Sequence, residues 1–291
     1  MQKTEPVFII GNPRAGTTLL RLMLTCHPCI HIPPECGFAV WLRHRFGNWR
    51  AADSDARLDS FLEALAGSRK FETWNLPKDK VRACIAARNP SSYSELVGAV
   101  YTCHAAAQGK PGCRWGDKNN FHLNHILEIK ALFPEARFVH IVRDPRDIAC
   151  SYRELNRRRI DSPYQPKLAD DVADIAAQWG RNIRIIRRSF ESFQWCGVLE
   201  IGFEKLVLEA VRALKNVCGF LNEEYDPAML GYHEVNQRCS LEPKEFLLWK
   251  ERTLEPPRAD RIGRFRQELS EREIRAVLRE AGAEMALYNY S

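Results

Sequence analysis

The sequence lacks both a long apolar run and a recognisable export signal. No stretch of the 291 residues approaches the roughly 18 consecutive apolar residues that a membrane-spanning helix needs. The first apolar run, Val7–Ile10, is too short for a signal peptide and continues directly into a glycine turn. We therefore expect no membrane span and a cytoplasmic location.

The sequence also lacks the paired spacings of a zinc finger and the context of a thioredoxin-type motif. Ten cysteines include Cys26 and Cys29 in the segment CHPC, with Cys36 downstream, but no second pair follows at zinc-finger spacing. Cysteines of a chain without an export signal stay reduced. We expect thiols that serve as small apolar residues and no metal site; a redox pair or zinc site at CHPC is the alternative.

A strong charge of either sign is absent as well. Forty-three Lys and Arg against 37 Asp and Glu leave a net charge of +6. This mild excess suits a protein that handles anionic ligands and does not indicate nucleic acid. No repeat, low-complexity tract or Gly/Ser linker divides the sequence, so we expect one domain over residues 1–291.

A phosphate-binding type of loop is present near the N-terminus, in the segment IIGNPRAGTTLLR that begins at residue 9. An apolar strand precedes Gly11, four residues separate it from Gly16, and an apolar helix follows. In such a turn, backbone N–H groups converge on one anion and the helix terminus adds positive potential. Thr17 and Thr18 can add hydroxyl hydrogen bonds, and Arg14 can add two from its guanidinium group.

The loop has no lysine directly after its second glycine, where nucleotide triphosphatases carry one, because Thr17 stands there. The missing lysine weakens the case for triphosphate hydrolysis. A degenerate kinase loop, or a glycine-rich turn that binds nothing, remains open on this segment alone.

The hydrophobic pattern predicts an α/β fold with a central parallel β-sheet flanked by helices. Apolar runs predict strands at 7–10, 137–142 and 197–201. Apolar spacing of three to four residues predicts several helices, at 17–26, 58–66, 80–87, 94–107, 124–133, 144–158, 172–190, 204–221 and 270–281. We interpret the segment at about 38–110 as a helical insertion.

Further segments, taken with the loop, resemble motifs of the sulfotransferase superfamily that uses 3′-phosphoadenosine 5′-phosphosulfate (PAPS). Residues 138–151, FVHIVRDPRDIACS, are similar to the second nucleotide motif of that family. The resemblance implies a P-loop-kinase-like sulfotransferase fold, PAPS as the sulfate donor and adenosine 3′,5′-bisphosphate (PAP) as the product. It assigns the 5′-phosphosulfate to the first loop, including Pro13 and Ala15, and the 3′-phosphate to Arg143 and Ser151.

Three shorter segments extend the resemblance. WGDKNN at 115–120 is similar to the family's Asp-Lys-x-Pro segment, with Asn120 where proline is common. IGFEKL at 201–206 resembles an aromatic-Glu-x-Leu segment, which makes Phe203 a donor-binding candidate. RIGRF at 261–265 resembles a terminal basic loop that closes on the nucleotide, and it adds three candidates, Arg261, Gly263 and Arg264.

The position of the base points to one branch of the superfamily. Asn120 stands where the small-molecule branch has its histidine base, whereas Glu35, 21 residues after Arg14, resembles the base of the protein-tyrosine branch. The resemblance implies Glu35 as base, with Arg14 and Lys118 stabilising the developing charge. Three histidines remain rival or assisting bases, namely His27, His31 and His122.

These observations predict a sulfotransferase that acts on a hydroxyl or amine of a small molecule or glycan and needs no metal. The alternatives are a P-loop kinase-like phosphotransferase and a non-catalytic nucleotide-binding protein on the same fold. The sequence leaves the oligomeric state open. Aromatic residues of the insertion either line the acceptor pocket or fill the core; they are Phe38, Trp41, Phe46, Trp49, Phe71 and Trp74.

Overall fold

One parallel β-sheet forms the centre of the protein. The computed structural model describes residues 5–158, 160 and 162–290. Its strands are β1 (Val7–Ile10), β2 (Ile30–His31), β3 (Arg114–Lys118), β4 (Arg137–Val142) and β5 (Val198–Gly202). They lie in the order β2-β3-β1-β4-β5, and every neighbouring pair runs parallel. The predicted α/β class with a central parallel sheet is confirmed.

Fifteen α-helices surround the sheet in the described part of the chain. The first six are α1 (Thr17–Cys26), α2 (Phe38–Trp41), α3 (Arg43–Phe46), α4 (Asp55–Ala66), α5 (Lys78–Arg88) and α6 (Tyr93–Ala107). The others are α7 (Ile126–Leu132), α8 (Pro145–Asn156), α9 (Val172–Glu191), α10 (Phe203–Leu208), α11 (Ala210–Phe220), α12 (Tyr232–Cys239), α13 (Lys244–Lys250), α14 (Phe265–Glu268) and α15 (Glu271–Ala286). Short 3₁₀ turns lie at Phe71–Trp74, Asn120–Asn124, Pro227–Gly231, Glu251–Leu254 and Ala259–Arg261.

Strand β1 lies in the middle of the sheet, and both of its faces are covered. Phe8 and Ile10 pack into a core on the side of the insertion, whereas Val7 and Ile9 pack on the opposite side against α1 and α11. All four side chains are at most 1% exposed. A strand buried on both faces has a continuous apolar sequence, which explains why VFII was recognisable as a strand.

Strand β3 was not predicted because its sequence, RWGDK, is mostly polar. All five residues are nevertheless buried. The Asp117 carboxylate accepts hydrogen bonds from the Tyr101 hydroxyl, at 2.6 Å, and interacts with His122 Nε2 at 2.8 Å. Asp117 Oδ2 therefore has polar partners inside the protein, and this local compensation hides the strand from a hydrophobicity pattern.

The single helix predicted at 204–221 is wrong in one respect, because two helices occupy that segment. The break between α10 and α11 lies at Glu209, whose φ of −129° and ψ of 44° are not helical. The predicted helix at 124–133 is likewise shorter: a 3₁₀ turn ends at Asn124 and α7 spans Ile126–Leu132.

The segment between β2 and β3 is helical and comprises α2 to α6. Its aromatic side chains pack with one another: Phe38 is fully buried, and Trp74 is 2% exposed. Trp41, the one partly exposed member, stacks on Phe121 at 5.4 Å between ring centroids. None of the six aromatic residues borders the cavity described below, and a role for them in lining an acceptor pocket stays a prediction.

The ten cysteines are free thiols. Within the described residues, no group of three or more His, Cys, Asp or Glu side chains is arranged to hold a metal ion. No helix of residues 5–158 or 162–290 has the length and apolar character needed to cross a membrane.

Candidate active site

The loop between β1 and α1 depends on its two glycines. A Cβ atom on Gly11 would lie 2.7 Å from the carbonyl oxygen of Ile141 in β4. Gly16 has a φ of 100°, and a Cβ atom there would lie 2.5 Å from Cδ2 of Phe203. Only glycine lets the backbone approach β4 and the Phe203 ring so closely, and this approach shapes the turn at the start of α1.

Arg14 lies within this loop in the left-handed region, with a φ of 66°. Its Nε donates to Ser151 Oγ at 3.1 Å, and its Nη1 donates to the carbonyl oxygen of Trp249 at 3.1 Å. Burial and the neighbouring guanidinium of Arg143 lower the pKa of Arg14 to about 10, so it stays charged at neutral pH. Arg14 therefore lies beside Ser151, and its contact with the sulfuryl group stays a prediction.

Arg143 lies at the carboxyl end of β4, where ligands bind in open parallel sheets. Nη1 donates to the carbonyl oxygen of Arg14 at 3.2 Å, and Nη2 donates to that of Arg261 at 2.8 Å. The guanidinium carbon lies 4.2 Å from the centroid of the Phe203 ring. Nε is buried and has no hydrogen-bond partner among the described residues. One strong donor thus remains for a ligand.

The terminal basic loop is tied to α8. Asp147 accepts hydrogen bonds from the backbone N–H of Gly263, at 2.7 Å, and from that of Phe265, at 3.1 Å. Glu154 lies two turns further along α8 and accepts from three arginines, Arg252, Arg261 and Arg264. Sequence analysis assigned no role to either carboxylate, although Asp147 stands within the second motif.

Glu35 lies among three lysines. Its Oε1 accepts hydrogen bonds from Lys118 and, at 3.3 Å, from Lys250, and its Oε2 accepts one from Lys70 at 2.6 Å. Lys118 also donates to Thr18 Oγ1 at 3.1 Å, which joins this cluster to the start of α1. The predicted base, the predicted lysine and the loop therefore meet directly.

The charged groups of this cluster shift one another's pKa values. Burial by itself would raise the pKa of Glu35, but the ammonium groups of Lys118, Lys250 and Lys70 outweigh it and hold the pKa well below its usual value. Burial lowers the pKa of Lys118 to about 8, even though Glu35 opposes that change. Glu35 is therefore ionised at neutral pH, and Lys118 is predominantly charged.

The cluster continues into the protein through buried ion pairs. Lys250 also donates to Glu242 at 2.5 Å, and Glu242 pairs with Arg21. Both residues of that inner pair are about 1% exposed. The region thus holds four cations and two carboxylates, namely Arg21, Lys70, Lys118 and Lys250 with Glu35 and Glu242. Two positive charges remain uncompensated, and this excess suits an anionic ligand. Sequence analysis missed Lys70, Lys250 and Glu242, because each stands in a segment without a motif.

One cavity of about 220 Å³ connects these groups. Most predicted site residues line it, namely Pro13, Arg14, Gly16, Thr17, Thr18, Glu35, Arg143, Ser151, Phe203, Arg261 and Arg264. Three do not. Ala15 is buried in the core. Lys118 is 1% exposed and contacts the site through Glu35 and Thr18. The backbone N–H of Gly263 donates to Asp147 and does not face the cavity.

The three rival histidines lie elsewhere. His27 Nε2 contacts the carbonyl oxygen of Glu224 at 2.7 Å, and His122 contacts Asp117. His31 lies 2.8 Å from a ring nitrogen of His104, and burial lowers the pKa of His31 to about 2. None of the three borders the cavity, so the geometry gives no support to a histidine base.

Comparisons with known proteins find similar sequences among protein-tyrosine sulfotransferases. The chain is 24% identical over 242 residues to a putative protein-tyrosine sulfotransferase of Caenorhabditis briggsae, covering 82% of this chain and 74% of that protein. It spans only about half of several other such proteins, including 54% of human protein-tyrosine sulfotransferase 1.

Solved structures share the fold. The sulfotransferase domain of the Synechococcus PCC 7002 olefin synthase superposes with a TM-score of 0.58 at 20% identity, over 95% of both chains. Mouse sulfotransferase SULT7A1, complexed with PAP, superposes with a TM-score of 0.52 at 13% identity, over 99% of this chain and 88% of that one. These likenesses confirm the predicted sulfotransferase fold.

The family itself is shown by its sequence profile. The profile described as "Sulfotransferase family" matches residues 6–227, which is well over half of the chain. That match includes the glycine loop, Glu35, Lys118, Arg143 and Ser151, the residues on which the resemblance was based. The chain therefore belongs to the Sulfotransferase family, as its motifs predicted.

Proposed function

We propose that the protein transfers a sulfuryl group from PAPS to a hydroxyl or amine of an acceptor. The observation that carries this proposal is that the glycine loop, Arg143 and the ion-paired Glu35 all border one cavity. The first two suit an anionic donor and the third suits proton removal, so the cavity combines the two functions that sulfuryl transfer requires.

The residues present fit the donor. In the described part of the chain, the buried Nε of Arg143 has no partner, and no side chain caps the N-terminus of α1 at Gly16, where an anion can bind. In our proposal the loop holds the 5′-phosphosulfate, while Arg143 and Ser151 hold the 3′-phosphate. Arg14 donates to Ser151 and so connects the two ends.

The donor supplies a sulfuryl group on a phosphate that is already a stable leaving group. A new bond forms between the acceptor oxygen or nitrogen and sulfur, and the bond between sulfur and the bridging phosphate oxygen breaks. Glu35 takes the acceptor proton, a contribution commonly worth about 10²–10⁴ in rate. Lys118 and the threonines of the loop stabilise the charge that develops on the sulfuryl and bridging oxygens. We propose that this chemistry needs no metal.

The acceptor we propose is a small molecule or glycan. Part of the cavity wall is uncharged, since Tyr164, Pro166, Leu168, Pro256 and Pro257 line it. Such a surface suits the flat face of an aromatic ring or a sugar. Sulfation of protein tyrosine, the activity in the names of the curated relatives, is the other candidate. A cytoplasmic location also stays a proposal.

The test is sulfuryl transfer with purified protein, PAPS and a panel of acceptors, in the presence of EDTA. The panel contains phenols, sugars, alkyl amines and a tyrosine peptide, and formation of PAP and of sulfated product is measured. We expect PAP to form only when an acceptor is present. Turnover of Mg-ATP instead would support a kinase, and tight PAP binding without transfer to any acceptor would support a non-catalytic nucleotide-binding protein.

A further inference from the structure

Two lysines outside every recognised motif contact the proposed base. Lys250 ends α13 and Lys70 precedes the 3₁₀ turn at Phe71–Trp74, so they come from segments 180 residues apart. Both border the cavity. Among the described residues, the charged groups that face Glu35 are these two lysines and Lys118 from β3, with Glu242 beyond Lys250.

Other contacts hold both ammonium groups in place. The Nζ atoms of Lys70 and Lys250 lie 5.1 and 5.0 Å from the centroid of the same ring, Phe246, which is fully buried. Glu242 anchors Lys250 from the side of the core. Such ring contacts attract cations and fix their positions. The two lysines are therefore held against one surface while they contact different oxygens of Glu35.

The residue before Lys250 ties this arrangement to the donor side of the cavity. The carbonyl oxygen of Trp249 accepts a hydrogen bond from Arg14 in the glycine loop. The end of α13 therefore contacts the glycine loop through the backbone of Trp249, and it contacts Glu35 through the side chain of Lys250. Lys70 has no such second anchor among the described polar contacts, and its side chain is more exposed, 19% against 9% for Lys250.

We propose that Lys250 and Lys70 are positioning residues for sulfuryl transfer, which keep the Glu35 carboxylate ionised and turned toward the cavity. This inference rests on the proposed function, because it assigns the base to Glu35. Its physical reason is that Glu35 is buried, and a buried carboxylate without adjacent cations takes up a proton. Lys118 alone leaves Oε2 without a partner, whereas Lys70 supplies one.

The experiment compares pH profiles of kcat/KM from pH 9 down to about pH 3, because the cations beside Glu35 place its acidic limb below the usual carboxyl pKa of 4.5. The variants are Lys250→Met, Lys70→Met and Lys250→Arg, with Lys244→Met as the control because Lys244 is an exposed lysine on the same helix. Removing an adjacent cation raises the pKa of a carboxylate, so the acidic limb moves to higher pH. We expect a shift of about one pH unit or more for Lys250→Met and a smaller one for Lys70→Met. For Lys250→Arg and Lys244→Met we expect the acidic limb to stay at the pH found for the unaltered protein.

A second measurement does not depend on activity. The carboxylate band of Glu35 is followed by infrared spectroscopy as the pH is lowered, with the spectrum of Glu35→Gln subtracted. We expect protonation of Glu35 at higher pH in both methionine variants than in the unaltered protein. An acidic limb and a protonation pH that stay unchanged, even with a lower rate at every pH, would overturn the inference.

Failure of the proposed function gives a different result. In that case the unaltered protein transfers no sulfuryl group, yet the infrared shift still decides whether the lysines act on Glu35. Calorimetric binding of PAP shows that each variant retains a folded donor site. If Lys250→Met does not fold, Lys70→Met, whose side chain lies nearer to solvent, provides the same test.

Discussion

The two ends of the cavity are built in different ways. At the proposed donor end, two continuous segments follow β1 and β4, and their backbone and nearby side chains surround the cavity at Gly16 and Arg143. At the proposed base end, Glu35 meets single lysines from three distant segments, Lys70, Lys118 and Lys250. A ligand held by a turn of backbone needs a contiguous sequence, whereas a cluster of side-chain charges needs only that the fold bring the residues together.

Glu35→Gln tests the base end and has the largest expected effect. The change removes the proton acceptor and keeps the size of the side chain, so we expect kcat/KM to fall by about 10²–10⁴. PAP binding, measured by calorimetry, should persist because the donor end is intact. The exposed Glu234→Gln is the control. A Glu35→Gln variant with unchanged turnover would end the assignment of Glu35 as base.

Arg143→Ala tests the donor end and should separate it from the base end. Loss of charged hydrogen bonds to the nucleotide is worth about 1.5–3 kcal/mol, so the Kd for PAP should rise by about 10- to 150-fold. Arg212, whose side chain is 86% exposed, provides the control Arg212→Ala. Equal PAP affinity in both variants would show that Arg143 does not bind the nucleotide.

Gly16→Ala tests whether the loop depends on backbone geometry, and its expected effect is the smallest of the three. The added methyl group meets the Phe203 ring and stands at a φ of 100°. Strain and crowding together should lower the free energy of unfolding by about 1–3 kcal/mol, measured by urea denaturation. Gly282 in α15 has open space around it, and Gly282→Ala should raise that free energy by up to about 1 kcal/mol. Equal stability of the two variants would contradict the argument.

The same contrast explains what could be predicted from the sequence. The apolar runs of β1 and β4 predict their strands, and the glycine loop and Arg143 predict the donor end. The polar β3 was missed because Asp117 and Lys118 find partners only in the folded protein. An isolated lysine in a sequence is usually a solvated surface residue, so nothing in the residues around Lys70 or Lys250 indicates a place beside Glu35.

The family match ends earlier in the sequence than the residues that line the cavity. The match ends at residue 227, but Trp249, Lys250 and Arg264 still line the cavity. Asp147 in α8 also accepts a hydrogen bond from the backbone N–H of Gly263. A fragment cut at that boundary would keep the whole sheet and lose one wall of the pocket. Transplanting or shortening this enzyme therefore requires that residues 228–264 be kept together with the matched segment.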